Sequence, residues 1–286
     1  MERRRFCKSI AAGAAGLAAV GTATADDSKD VAGYVSTRGH FDIAWGNEYL
    51  VDGYDATDYD VTGDVPGYEG DPPEELVVMI HGFSQTPKEA REDIIGPASG
   101  GFRAAGYDGP VVGYTWDSDF DTLEWWDTVD IATRNGLKLG QFLADHHDRS
   151  PDTTVRVVGH SLGAEIVLNA IEELDRAKIR DAVDSVTMLG AAVDDEAPST
   201  WAGPLEDEYG HEIERAVGSF DNFYKTDDET LTGQYEFAEW DSALGASGIE
   251  GHAPGNYSDH EVDYVGGHEQ YFLEDTGCAG AVVDSW

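Results

Sequence analysis

Residues 155–167, VRVVGHSLGAEIV, run apolar, turn on Gly159-His160-Ser161-Leu162-Gly163, and continue with helical periodicity. The pattern predicts a buried strand (TTVRVV), a tight turn and a helix (LGAEIVLNAIEELDRA). A strand-to-helix turn holds its serine in a strained backbone conformation, and glycines two residues to either side let the two elements approach closely. The N–H of Leu162, at the start of the helix, then points where an oxyanion would develop. Ser161 is thus the candidate nucleophile and Leu162 a candidate oxyanion donor.

Outward from this turn the pattern repeats. ELVVMI leads to His81-Gly82-Phe83; a helix is expected over 87–105, then the strand GPVVGYTW and a long helix over 122–146. Beyond the nucleophile helix come the strand SVTMLGAAV, a short amphipathic helix carrying Leu205, Tyr209, Ile213 and Val217, and the strand FDNFYK. Continuous apolar strands alternating with helices imply an α/β fold with a mostly parallel central sheet and helices on both faces. Residues 26–74, by contrast, carry short alternating runs and turn residues, expected as edge strands without a motif. Ligands of such sheets bind at the carboxyl ends of the strands, where His81, Trp116, Ser161, Asp194 and Asp228 all fall. Trp116 and His160 are accordingly expected to contact substrate. Trp125 and Trp126 fit either an acyl pocket or plain core.

Composition bounds the rest. The chain has 286 residues, 41% of them hydrophobic, enough for one large domain over 26–286. Residues 1–25, MERRRFCKSIAAGAAGLAAVGTATA, join a basic start to an Ala/Gly-rich run and a small-residue ending, which reads as an export signal. Arg3-Arg4 followed by Phe6 and Lys8 resembles the twin-arginine type, so a secreted or cell-surface protein is expected, with no stable membrane insertion after signal removal. The remaining chain holds only Cys278 and no internal disulfide. The formal charge is −39, and loss of the signal's four basic and one acidic side chains makes it −42. Such a charge disfavours nucleic acid and anionic membranes as partners, and its even spread resembles the protein style of extreme halophiles. No cofactor or metal is expected. The Asp-rich stretches YDATDYDVTGD and DSDFD lack the ladder of a calcium loop, and His146-His147-Asp148 is expected to complement a helix end. Nothing in the sequence signals an oligomeric state.

The nucleophile turn and the His-Gly-Phe segment resemble the α/β-hydrolase superfamily on its lipase and esterase side, over roughly residues 75–273. The resemblance implies a second oxyanion donor at the Phe83 N–H and a triad in chain order Ser, acid, His. Among the downstream histidines, His211 lies on a charged helix side, and His252 and His260 flank the turn-rich APGNYSD. His268 follows the strand-like VDYVGG and precedes EQYFL, expected as a last helix; GHEQYF also resembles a His-x-x-Tyr segment of some superfamily members. His268 is the preferred base, with His260 next. For the acid, SFDNFYKTDDETL resembles the Asn-x-Tyr and Asp-x-x-Leu segment of poorly characterised α/β-hydrolases, which share the LGAAV strand and a Trp soon after it, here Trp201; that places the acid at Asp228. Asp194 and Asp227 remain alternatives.

The implied chemistry is acyl transfer to water from a small carboxylic ester, with Ser161, Asp228 and His268 as triad and the Phe83 and Leu162 N–H groups as oxyanion hole. A serine peptidase or amidase would use the same machinery, and a non-catalytic binding protein on this fold is a third class. Small esters are favoured over long-chain lipid because the segment placed to form a lid, residues 194–217, is rich in acids and has only a narrow apolar stripe.

Overall fold

The computed structural model describes residues 31–44, 47–68, 71–203 and 208–286. The expected export signal at 1–25 lies outside them, as does Leu205. Ten strands are described: β1 (Val31–Ser36), β2 (Phe41–Ala44), β3 (Asn47–Leu50), β4 (Asp60–Gly63), β5 (Glu75–Ile80), β6 (Val111–Thr115), β7 (Thr154–His160), β8 (Val183–Leu189), β9 (Val217–Tyr224) and β10 (Tyr257–Glu261). Eight of them form one sheet in the order β10-β9-β8-β7-β5-β6-β1-β4, while β2 and β3 make a separate hairpin. Only the β1–β4 pair within the large sheet is antiparallel.

The helices are α1 (Pro87–Glu89), running through a wide turn at Ala90–Ile95 into α2 (Gly96–Ala104), then α3 (Trp125–Arg149), α4 (Gly163–Ala177), α5 (Gly210–Ala216), α6 (Glu236–Glu239), α7 (Leu244–Ser247) and α8 (Ala279–Asp284). Alternation along β5 divides the core. Leu76, Val78 and Ile80 pack on one face with Ile131 and Leu139 of α3 and Ile166 of α4; Val77 and Met79 pack on the other with Phe102 of α2 and Val282 of α8. Both faces are covered, which is why the strand reads as an unbroken apolar run. Each such side chain contributes about 1.5–3 kcal/mol by leaving water. Among the described residues no helix is long and apolar enough to cross a membrane.

Two expectations about the last third are corrected. The final strand is β10, pairing Tyr257–Glu261 with Phe220–Tyr224, and residues 262–267 are a turn in which Val262 and Val265 are buried. EQYFL does not form a helix beyond the single turn His268–Gln270, and the chain ends instead on α8. His146 also departs from its expected role: it is buried, its ring against the Pro66 carbonyl at 3.2 Å, and burial lowers its pKa.

The chain passes from β5 to β6 on one side and then crosses back to β7 on the other, so the strand order reverses beside β5. The crevice at such a reversal, beyond the carboxyl ends of the strands, is where ligands of open α/β sheets sit. Ser161 directly follows β7 there, and His81 directly follows the neighbouring β5.

Candidate active site

Ser161 occupies the left-handed region at φ +52, a conformation that costs a non-glycine residue of order 1–3 kcal/mol and persists only when its surroundings over-determine it. They do so here. The Ser161 N–H donates to the Leu189 carbonyl at 3.1 Å, and its own carbonyl accepts from the N–H groups of Ala164 at 3.0 Å and Ala192 at 3.1 Å. Gly163 is required for close approach, since a Cβ there would stand 2.8 Å from the carbonyl oxygens of both Ile80 and His81. The turn thereby lifts the Ser161 hydroxyl clear of the sheet.

The imidazole of His268 meets it. Ser161 Oγ and His268 Nε2 are 2.9 Å apart, and His268 Nδ1 lies 2.8 Å from Asp228 Oδ2. The carboxylate cannot donate, so Nδ1 carries the proton and Nε2 is left to accept from the serine. Asp228 is itself held on both oxygens: Oδ1 accepts the N–H groups of Thr230 at 3.0 Å and Leu231 at 3.3 Å, and Oδ2 accepts the Tyr271 hydroxyl at 3.2 Å. Burial pushes its pKa up, but the hydrogen bond and charge of His268, the Leu231 N–H and Tyr271 together outweigh it, and the net shift is downward. The acid therefore stays ionised next to the ring.

The alternative acids are engaged elsewhere. Asp194 accepts the Tyr235 hydroxyl at 2.7 Å, and Asp227 pairs with Lys225. His260, the second candidate base, lies on β10 with its Nε2 at 2.7 Å from Asp221. Sequence spacing alone does not separate these acids, because Asp227 and Asp228 are adjacent and only the turn after β9 decides which one points inward.

On the β5 side, Gly82 lies directly against Ser161: a Cβ there would be 2.7 Å from Ser161 Cβ and 3.2 Å from its Oγ. Phe83 follows, half-buried, its ring edge-on to Trp125 with centroids 5.2 Å apart; Trp125 in turn meets Tyr235 at 6.1 Å. These three rings form a continuous edge-to-face wall that begins at Phe83, the residue after Gly82. The Trp125 indole is fixed by donating to Glu239 at 2.6 Å, which ties α6 to the start of α3.

Trp116 and His160 do not take the place expected of them. Trp116 is fully buried behind His81, with its indole N–H on the His81 carbonyl at 2.9 Å. His160 is 1% exposed; its Nε2 donates to the His268 carbonyl at 2.9 Å and its ring packs on Phe272. Burial lowers the His160 pKa, which keeps the ring neutral. Both side chains belong to the support beneath the site: successive residues at a strand end alternate between faces, and His160, the last of β7, and Trp116, the first after β6, are both buried. Arg38, Ser118 and Tyr235, by contrast, border this region without a motif in the sequence to single them out. Arg38 lies in the segment without a motif, so no local signal marked it.

Among the described residues, one group of carboxylates has the spacing of cation ligands: oxygens of Asp195, Glu196 and Asp241 lie within 4.8 Å of one another. Asp195 also accepts the Ser247 hydroxyl at 2.8 Å. The group shares no residue with the serine constellation.

The sequence matches the model of a family described as alpha/beta hydrolases of unknown function (DUF900) over residues 68–232. Solved structures similar to it include a lipase-esterase related protein from Clostridium acetobutylicum, 11% identical, with 74% of this chain and 93% of that one covered and a TM-score of 0.39. The catalytic core domain of acetyl xylan esterase from Trichoderma reesei is 14% identical over 74% of this chain and 98% of that one, with a TM-score of 0.37. A cutinase-like protein from Cryptococcus sp. is 12% identical over 74% and 87%, also at 0.37. No curated protein matches.

Proposed function

This chain belongs to the DUF900 family of α/β-hydrolases, and from that premise we propose that it is a serine hydrolase that cleaves small carboxylic esters through an acyl-enzyme. The observation that carries the reading is the hydrogen-bonded series Ser161–His268–Asp228, with the serine on a strained turn at the carboxyl edge of the sheet.

Each step follows from a group already in place. His268 Nε2 takes the Ser161 proton as Oγ attacks the ester carbonyl, and Asp228 stabilises the imidazolium and holds its tautomer. The Phe83 and Leu162 N–H groups receive the developing oxyanion; among the described residues neither N–H is paired with a protein acceptor. A donor of this kind is worth about 100- to 1,000-fold in turnover. The proton on Nε2 passes to the departing alcohol, and a water then repeats the sequence on the acyl-enzyme. No cofactor enters.

The wall of Phe83, Trp125 and Tyr235 is the proposed acyl-side contact, in place of Trp116. Helix α5 supports small substrates: its Ile213 and Ala216 are buried against the sheet, so its apolar side is spent on packing. Export through the twin-arginine-type signal and operation in molar salt complete the proposal, supported by residues 1–25 and by the −42 charge of the remainder.

The test is turnover on matched ester and amide series of increasing acyl length in molar salt. Faster hydrolysis of short esters than of amides or long-chain esters is expected; preferential amide cleavage would assign a peptidase or amidase instead.

A further inference from the structure

The resemblance identifies His81 only as the first residue of an oxyanion segment. Its surroundings have more to say. His81 is fully buried, its Nδ1 lies 2.9 Å from the Gly82 carbonyl, and its Nε2 faces two donors: the Trp116 N–H at 3.2 Å and Arg38 Nη2 at 3.3 Å. Neither an amide N–H nor a guanidinium can accept, so Nε2 is the acceptor and Nδ1 holds the only ring proton. That proton is donated to the Gly82 oxygen. Burial first, and the Arg38 charge second, press the His81 pKa down to about 3, so this tautomer is uncharged at any working pH.

The Gly82 oxygen and the Phe83 N–H belong to one planar trans peptide and point in opposite directions. A hydrogen bond that fixes the oxygen on the His81 side therefore fixes the N–H on the other. A second tether acts two residues on. Arg38 Nη2 donates to the Gln85 carbonyl at 2.7 Å, and the Ser84 N–H donates to the Ser118 carbonyl at 2.7 Å, holding Ser84 at φ +57. Phe83 is thus restrained from both ends, and Arg38 takes part at each.

Arg38 is preorganised for this. Its Nη1 is anchored by Asp119 Oδ1 at 2.9 Å, and its side chain is 13% exposed. The turn that carries it is pinned by Asp117, which accepts the N–H groups of Gly39 at 2.8 Å and Phe41 at 2.9 Å. It lies in the loop after β1, outside the stretch matched by the family.

We propose that Arg38 is a positioning residue of the oxyanion hole, aiming the Phe83 N–H at the reacting oxygen by fixing the tautomer of His81 and the carbonyl of Gln85. The inference rests on the serine hydrolase reading above. It separates Arg38 from an ordinary structural arginine because it predicts a loss confined to the step in which negative charge appears on the substrate oxygen.

Arg38→Met in the full chain tests it with two probes, p-nitrophenyl butyrate and an alkyl trifluoromethyl ketone. The ketone accepts Ser161 Oγ at its carbonyl carbon; the hydroxyl proton passes to His268 and the negative charge to the ketone oxygen. The variant should lose about 10- to 100-fold in kcat, less than deletion of a donor because the N–H is misdirected and not removed. The ketone's inhibition constant should rise by a similar factor while KM stays within about twofold. Unchanged kcat and ketone affinity in the folded variant would overturn the role. If Arg38→Met does not fold, Arg38→Lys carries the test. An ammonium cannot span Gln85, His81 and Asp119 together, so the same paired loss is expected at about tenfold, and wild-type values would overturn the role. Ser161→Ala separates the two levels: undiminished ketone binding there removes the serine reading and this inference with it, whereas a normal Arg38→Met beside an inert Ser161→Ala removes only the role of Arg38.

Discussion

Asp228 and His268 are joined at 2.8 Å across 40 residues of chain, and the same carboxylate oxygen accepts the Tyr271 hydroxyl. Asp228 and His268 arrive on separate turns, one after β9 and one before the final segment, and Tyr271, three residues beyond His268, locks them together. If Asp228 orients the imidazole, Asp228→Asn offers the ring an amide that can select the wrong tautomer. Turnover should fall by about ten-thousand-fold with the fold intact. Asp194→Asn and Asp227→Asn, measured at the same high salt concentration, should each stay within about tenfold of wild type. Retention of more than about a tenth of wild-type turnover by Asp228→Asn would contradict the assignment.

Tyr271→Phe removes one of the donors to a buried carboxylate and leaves the ring in place. A hydrogen bond to a charged group is worth about 1.5–3 kcal/mol, which for a domain of this size corresponds to roughly 3–12 °C in the thermal midpoint. Turnover should fall by far less than in Asp228→Asn, because Thr230, Leu231 and His268 still hold the acid. A midpoint that does not move would show that Tyr271 merely packs beside the site.

The parts of this arrangement that could be read from the sequence are those written locally. β5, β7 and β8 declare themselves by unbroken apolar runs, and Ser161 by the glycines that let its turn close. His268 is legible by its place after the last apolar segment, although that segment, residues 262–267, is a turn; the true edge strand Tyr257–Glu261 is largely exposed, so it carries no apolar alternation to read. Trp116 and His160 illustrate a different limit. A residue at the end of a strand faces either the crevice or the core, and one residue of register decides which. Arg38 was illegible for a third reason: its partners His81 and Gln85 are 43 and 47 residues away, and only the fold brings them together.

Glu196 predicts how stability depends on pH. Burial and the neighbouring Asp195 carboxylate push its pKa up to about 7. Below the ordinary Glu value of about 4.3 both folded and unfolded chains hold its proton, and between there and about 7 only the folded chain does. Its contribution therefore lowers stability as pH rises through that window, and the full penalty is present above it. In molar salt, Glu196→Gln should raise the thermal midpoint at pH 8 relative to wild type and leave it nearly unchanged at pH 4. An equal midpoint difference at both pH values would refute the titration.

The −42 charge of the chain beyond residue 25 predicts a dependence on salt. Repulsion among its carboxylates is screened within about 3 Å in molar salt but reaches about 10 Å at 0.1 M. The unfolding midpoint should drop on dilution from molar salt to 0.1 M. A midpoint that is equal or higher at low salt would rule out adaptation to high salt while leaving the chemistry untouched.

The nucleophile is the point on which everything else turns, and Ser161→Ala measures it directly. In molar salt, with folding verified by circular dichroism, the variant should lose both covalent labelling by a fluorophosphonate and ester turnover, the latter by about a million-fold. Labelling or turnover retained near the wild-type level would place the nucleophile elsewhere and contradict the account.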